Sequence, residues 1–282
     1  MSNQYHDTLQ PPYRIQKRLV LNQCFRSVKK QLKPGADLIS YVTFGGAELY
    51  DLMDLLAVFD LRKRKFLAFS FELEEDLAQK ANNCVVAKAL RLTKRVHISV
   101  IQGDFAIDFG KLGERQAGQN FIFFLDYTEC FAQRHQGAIE SLLKFNLLRA
   151  GDFLIITSCL VPRVMHQPTF MEDKLNLFSD YFHVDEGDID TQFKVRNHVD
   201  LLVGQAFLRN TGGVHASEKL SPALIEKYKY RDTNVPMGLW AFAVQKVERE
   251  ITGLNDHPFD EFPWIPAPEA EETLPLNLFP DL

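Results

Sequence analysis

"FLAFSFELEEDLAQKA", residues 66–81, runs from an apolar stretch into a burst of carboxylates and then into a helical pattern. Five of the first six positions are apolar or aromatic with no in-and-out alternation, which is how a strand covered on both faces reads. The acids that follow have two readings. Asp and Glu are favoured in the first turn of a helix, where they face the positive end of its dipole. A carboxylate at the carboxyl end of a strand in an open α/β sheet is also where a bound ligand would be held. The rest of the chain decides between them.

The strand-then-helix unit recurs. "DLISYV" (37–42) precedes a Gly turn and helix in "GGAELYDLMDLLAVF" (45–59), and "KFLAFSF" (65–71) precedes the helical "EEDLAQKANNCVVAKALRL" (74–92). "HISVIQ" (97–102) is closed by Gly103-Asp104, "NFIFFLD" (120–126) is nearly continuous apolar strand, and "QGAIESLLKFNLL" (136–148), a turn and "DFLIITSCL" (152–160) follow. Apolar strands alternating with helices predict an α/β, doubly wound, mostly parallel sheet with helices on both faces. Residues 162–230 mix polar, Phe-rich and His-containing segments and are expected to be a helical insertion, before a last strand in "PMGLWAFAVQKV" (236–247).

With 282 residues and 46% hydrophobic content the chain can fill a real core. No run approaches the roughly 20 apolar residues of a membrane helix, and the first residues, MSNQYHDTLQPPYR, lack a signal-peptide layout, so no membrane role and a cytoplasmic location are expected. Cys24, Cys84, Cys130 and Cys159 have no metal or disulfide spacing and read as reduced core thiols. The net charge of -5 conceals an uneven distribution. Residues 255–282 hold seven acids, six prolines and no Lys or Arg, leaving 30 acids against 32 bases in the rest.

Three regions result: a basic amphipathic helix within residues 1–35, the α/β domain over 36–254, and an acidic Pro-rich tail over 255–282. The helix, at 14–33, puts Ile15, Leu19, Leu21, Phe25, Val28 and Leu32 at three- and four-residue steps among Arg14, Lys17, Arg18, Arg26, Lys29, Lys30 and Lys33. "QPPY" (10–13) reads as an extended lead-in to it. The tail carries Phe259, Phe262, Trp264, Leu276, Leu278 and Phe279, more apolar anchors than a solvating tail needs. It is expected to lie in a groove of its own body or of a protein partner, with the fold not depending on it.

Ligands of open α/β sheets bind beyond the carboxyl ends of the strands. Those ends carry a Gly-rich turn (Thr43, Phe44, Gly45, Gly46, Ala47), then Glu72 with Leu73, then Gly103, Asp104 and Phe105, then Asp126 and Tyr127. The series resembles the class I S-adenosylmethionine-dependent methyltransferases over roughly residues 36–160. That resemblance implies an enzyme that uses S-adenosylmethionine. It implies cofactor contacts from Thr43, Phe44, Gly45, Gly46, Glu72, Leu73, Gly103, Asp104 and Phe105, with Glu72 on the ribose and Asp104 on the adenine amine. Asp126 and Tyr127 are implied beside the reacting methyl, as the candidate catalytic pair. Where the family has acid-x-Gly-x-Gly, this chain has Thr43 for the acid, Gly45 for the first glycine and Ala47 for the second. Glu74, Glu75 and Asp76 are left to begin the helix.

A proton acceptor is needed if the methyl goes to a hydroxyl or a protonated amine. Asp126 and Tyr127 come first, then His135 and His166, each of which also reads as an ordinary loop or helix-end residue. The catechol O-methyltransferase type, similar at its fourth strand, holds magnesium with further oxygen ligands. Here the next strand ends Thr157-Ser158-Cys159, so a metal-independent reaction is expected. "LDYTE" (125–129) lacks the prolines of the amino-directed adenine and cytosine methyltransferases. The methyl acceptor is undetermined, with nucleic acid expected to use residues 14–33 and Arg62-Lys63-Arg64-Lys65 if it binds. The degraded Gly turn keeps a second class open, a methyltransferase-like binding or scaffold subunit. A nicotinamide oxidoreductase fits less well, because GxGxxG spacing is missing.

Overall fold

The computed structural model describes residues 11–33, 35–44, 46–59, 63–127, 131, 133–160, 199–210, 219–232, 235–247 and 263–268. In chain order the elements are α1 (Pro11–Gln31), β1 (Leu38–Thr43), α2 (Tyr50–Val58), β2 (Lys65–Glu72), α3 (Glu75–Asn83), α4 (Val85–Arg91), β3 (Val96–Gln102) and the short α5 (Phe105–Asp108), which runs into a 3-10 turn. They continue with β4 (Gln119–Asp126), α6 (Gln133–Lys144), β5 (Phe153–Cys159), α7 (Val199–Asn210), β6 (Leu220–Asp232), β7 (Val235–Lys246) and β8 (Ile265–Pro266). One sheet holds all eight strands in the order β3-β2-β1-β4-β5-β7-β6-β8. β1 to β5 are mutually parallel, while β7 runs antiparallel to both β5 and β6. The chain leaves β1 in one direction through β2 and β3 and returns on its other side as β4, so the topological switch lies between β1 and β4.

Apolar side chains alternate between two buried faces, which is why the central strands read as continuous apolar runs. In β4, Phe121, Phe123 and Leu125 join one core with Ile139 and Leu142 of α6 and with Val203 and Phe207 of α7. Ile122 and Phe124 join the other, with Phe25 and Val28 of α1 and Leu52 and Leu55 of α2. The sheet is therefore doubly wound, as expected.

Several boundaries differ from the sequence reading. The Pro-Pro of "QPPY" opens α1 instead of preceding it, since proline at a first helical position loses no hydrogen bond. The helix expected over 74–92 breaks at Cys84, whose extended backbone ends α3 while its sulfur accepts from the Ala87 amide and starts α4. Of the insertion expected to be helical over 162–230, α7 is helix but residues 220–230 lie in β6; residues 161–198 and 211–218 lie outside the described residues. A bulge between Leu224 and Glu226 hides that strand from a period-two reading, because Leu224 faces one core and Tyr228 and Tyr230 the other.

α1 is built into the domain. Val20, Leu21, Cys24, Phe25 and Val28 are fully or almost fully buried, the Ser27 hydroxyl donates to Glu226 of β6, and Arg18 grips Asp54 of α2 with contacts of 2.8 and 3.1 Å. Part of the acidic tail also belongs to the sheet. Ile265 and Pro266 lie parallel beside Tyr228 and Lys229, and the Trp264 ring meets Trp240 edge-on at 5.2 Å. The ammonium groups of Lys229 and Lys227 sit 4.7 and 5.4 Å from the Trp264 ring centroid. Residues 263–268 thus attach to the sheet, within a segment on which the fold is expected not to depend. Trp264→Ala should cost about 1–2 kcal/mol through the lost ring pair and cation contacts. Urea titration checks it, and an unchanged midpoint would show the strap adds nothing.

Candidate active site at the carboxyl edge of the sheet

β3, β2, β1 and β4 are neighbours, so their carboxyl ends bring the four sequence stations to one edge. At the end of β1, Thr43 is buried and its hydroxyl donates to Asp51 Oδ2, which also accepts from Tyr41 at 2.7 Å. Asp51 comes from the first turn of α2, so a carboxylate stands behind the strand end where Thr43 replaces the expected acid. Burial raises the Asp51 pKa, and the two hydroxyl donors oppose that rise. The ring of Phe44 packs on Phe105 and Tyr127 at centroid distances of 5.4 and 5.7 Å. Gly45 lies outside the described residues. Gly46 follows at φ +62, a left-handed conformation that favours glycine.

Glu72 ends β2 inside the strand, 8% exposed, three residues ahead of α3. Its carboxyl is pushed up to about 7, chiefly by burial and against the hydrogen bond from the Gly46 amide. The two readings of the opening stretch therefore fall on different residues: Glu75 and Asp76 occupy the first turn of α3, and Glu72 is a buried strand-end carboxyl beside the glycine turn. Leu73 is 71% exposed next to it.

At the end of β3 the Gly103 amide donates to the Glu72 carbonyl at 2.9 Å. Gly103 has φ +152, a conformation that side-chain-bearing residues rarely adopt, and a Cβ there would come within 2.2 Å of Asp108 Oδ2, so any substitution would have to displace that carboxylate. Asp104 is exposed, and its amide donates to the same Asp108 oxygen at 3.0 Å. Phe105 is buried against Phe44, Phe71 and Phe123, as part of the wall and not of the exposed edge.

At the end of β4, Asp126 is half-buried and engaged on both oxygens. The Thr157 hydroxyl donates to Oδ1, and Lys17 Nζ lies 2.6 Å from Oδ2. Tyr127 stacks on the buried His135, with centroids 4.0 Å apart and planes inclined by 33°. His166 lies outside the described residues. Lys17 is the residue that sequence reasoning missed. It sits on the buried stripe of α1, four residues before Leu21, so its spacing carried the signal that its charge obscured.

The edge is strongly acidic. The segments that follow the strands (44–51, 72–76, 103–108 and 126–127) hold nine acids and no Lys or Arg. Three cations meet it: Lys17 and Arg18 from α1, on Asp126 and Asp54, and Lys111, whose ammonium lies 2.9 Å from Asp108 and donates to the Gln102 carbonyl at the end of β3. Among the described residues, no group of three or more His, Cys, Asp or Glu side chains is placed to hold a metal ion.

The sheet order, the β1/β4 switch and the antiparallel β7 define a fold of the class I methyltransferase type. No protein-family model and no curated protein matches the sequence. Solved structures of similar fold include the mitomycin 7-O-methyltransferase MmcR (9% identity, TM-score 0.39, covering 81% of this chain and 54% of that one). The methyltransferase domain of bacterial CtHen1 is 12% identical with a TM-score of 0.45, covering 81% of this chain and 98% of that one. The arsenic(III) methyltransferase CrArsM of Chlamydomonas reinhardtii is 13% identical with a TM-score of 0.42, covering 86% and 76%. The chain spans about half the length of MmcR and of the carbon methyltransferase CurJ.

Proposed function

We propose that this chain binds S-adenosylmethionine at the carboxyl edge of β1 to β4 and transfers its methyl group, without a metal, to an acceptor not yet identified. One observation carries the reading: Glu72, a buried carboxyl at the end of β2, meets the glycine turn that ends β1, beside the topological switch. A carboxylate there accepts hydrogen bonds from a ribose diol. The acidity of the edge supports the same ligand, because the cofactor carries a sulfonium and an ammonium. The exposed Leu73 would cover one side of an adenine, and Asp104 would accept from its amine.

Bound there, the cofactor supplies an electrophilic methyl, so the chain's own work is placement and exclusion of water. Tyr127, His135, Phe131 and Phe44 form an aromatic wall next to Asp126. In this reading Asp126 would take an acceptor proton, with Lys17 moving aside or staying as the cation that balances it. Calorimetric titration with S-adenosylmethionine and with its demethylated product tests the reading. Dissociation constants of about 1–100 μM support it, corresponding to roughly 5–8 kcal/mol. No heat with either ligand at millimolar concentration sinks it.

A binding or scaffold subunit is the second reading, favoured by one feature. Asp126 already has a partner on each oxygen, and such a saturated carboxylate is a poor base. Cofactor binding without turnover against nucleic acids, proteins and hydroxyl-bearing metabolites would favour this reading. No described helix is long and apolar enough to cross a membrane.

A further inference from the structure

The end of the sheet opposite the candidate site has the opposite charge. Parallel strands put all their starts at one edge, so the segments that lead into β3, β2, β1, β4 and β5 are neighbours. Lys94 and Arg95 precede β3, Lys63 and Lys65 flank the start of β2, Lys33 precedes β1 and Arg149 precedes β5, and all six are exposed. The register confirms the proximity: the Phe66 amide donates to the Arg95 carbonyl and the Lys65 amide to the Asp37 carbonyl, both at 2.8 Å. Asp37 and Glu114 are the exposed acids among the described residues of these lead-in segments. Asp152, the remaining acid, is fully buried and held by Arg115.

We propose that this amino-terminal edge is a binding surface for the phosphate backbone of a nucleic acid. Five adjacent strands at about 4.8 Å spacing span roughly 19 Å, and the exposed cations lie at the starts of four of them, β3, β2, β1 and β5, while β4 brings Glu114 and the Asp152-bound Arg115. That length faces about five phosphates of one strand at roughly 3.4 Å of axis each. The cations are Lys and Arg side chains spread along a line, which suits a repeating anion and offers no pocket for a single one. Because the carboxyl edge is acidic, a polyanion is turned away from the cofactor end and held at the far side of the sheet. The nucleic acid is thus an anchor, distinct from the group that receives the methyl. The surface overlaps the expected 62–65 run but is centred on the strand starts, and it adds Lys94, Arg95 and Arg149. Arg62 lies outside the described residues.

The test is fluorescence anisotropy of the full chain with a labelled single-stranded RNA of roughly 20 nucleotides at about 50 mM salt, beside a duplex of equal length. Expected are micromolar binding and a log-log salt slope of about -3, from about four phosphate contacts at roughly 0.7 each. The triple variant Lys63→Glu, Lys65→Glu, Lys94→Glu should lose at least tenfold in affinity with an unchanged melting temperature. The single variant Lys94→Glu, at an exposed lead-in position, gives a smaller loss in the same direction should the triple variant fail to fold. No binding at low salt overturns the proposal, as does binding indifferent to the charge reversals. Vesicles containing phosphatidylserine provide the other arm: binding to them in preference to both nucleic acids also overturns it. Titration of the same samples with S-adenosylmethionine reports separately on the carboxyl edge, so failure of either reading is distinguishable.

Discussion

Arg115→Ala should destabilise the fold by roughly 3–5 kcal/mol, the range for removing one partner of a buried ion pair. Asp152, which enters β5, is fully buried, and both of its oxygens are engaged. Arg115 contributes two of the contacts, at 2.6 and 2.7 Å, and the amides of Phe121 and Arg149 donate at 2.8 Å each. The same guanidinium donates to the carbonyls of Gln119 and Leu147 and covers the Phe121 ring at 5.2 Å, so it ties the starts of β4 and β5 to the end of α6. Burial already raises the Asp152 pKa, and the Arg115 hydrogen bonds are the largest force against that rise. Without them the carboxylate must either stay charged and undersolvated or take up a proton. The loss should therefore shrink as pH falls, because a protonated Asp152 no longer needs the cation. The double variant Arg115→Met, Asp152→Asn should recover much of the stability. Urea unfolding at neutral pH, with an unchanged dependence on denaturant, is the measurement. A loss under about 1 kcal/mol would mean the pair only decorates the strand starts.

Periodicity made the sheet legible, and its limits explain what was missed. β1, β2, β4 and β5 are buried on both faces, so their composition alone marks them, and the acids and glycines at their ends follow from where each strand stops. β6 was hidden because its bulge changes the face that its apolar residues present. The strap at residues 263–268 was hidden because proline-rich sequence has no period, while its attachment depends on Trp240 and Lys229, distant in the chain. Polar partners are the least legible class of all. Lys17 and Asp126 are 109 residues apart, and Arg115 and Asp152 are 37 apart. In both cases the visible clue is a charge on an otherwise buried stripe or strand start, which identifies a residue needing a partner without saying which one.

Glu72 is expected to make both stability and cofactor affinity depend on pH near neutrality, in opposite directions. Its carboxyl is raised from 4.5 to about 7 in the fold, first by burial. A raised acid favours the folded state when protonated, so its contribution is fully present below the unfolded value and is lost as pH rises through the folded one. At about 1.4 kcal/mol for each pH unit, the wild type should lose roughly 3 kcal/mol relative to Glu72→Gln between acid and mildly alkaline pH. Ligand binding has the reverse sign. Hydroxyls of a ribose donate to the carboxylate and not to the acid form, so the diol must compete with the bound proton. Affinity for S-adenosylmethionine should then rise about tenfold from pH 6 to pH 8, with a proton released on binding at the lower pH. Charge-assisted hydrogen bonds contribute about 1.5–3 kcal/mol, so Glu72→Gln should weaken binding at pH 8 by roughly 10- to 100-fold. Because both proteins meet the same titrating ligand, the difference between their pH profiles isolates Glu72. Calorimetry at three pH values, in buffers of differing ionisation heat, reads affinity and proton release together. If the folded variant keeps the wild-type profile, Glu72 is only a buried acid bracing the Gly46 turn, and the ribose must be held elsewhere.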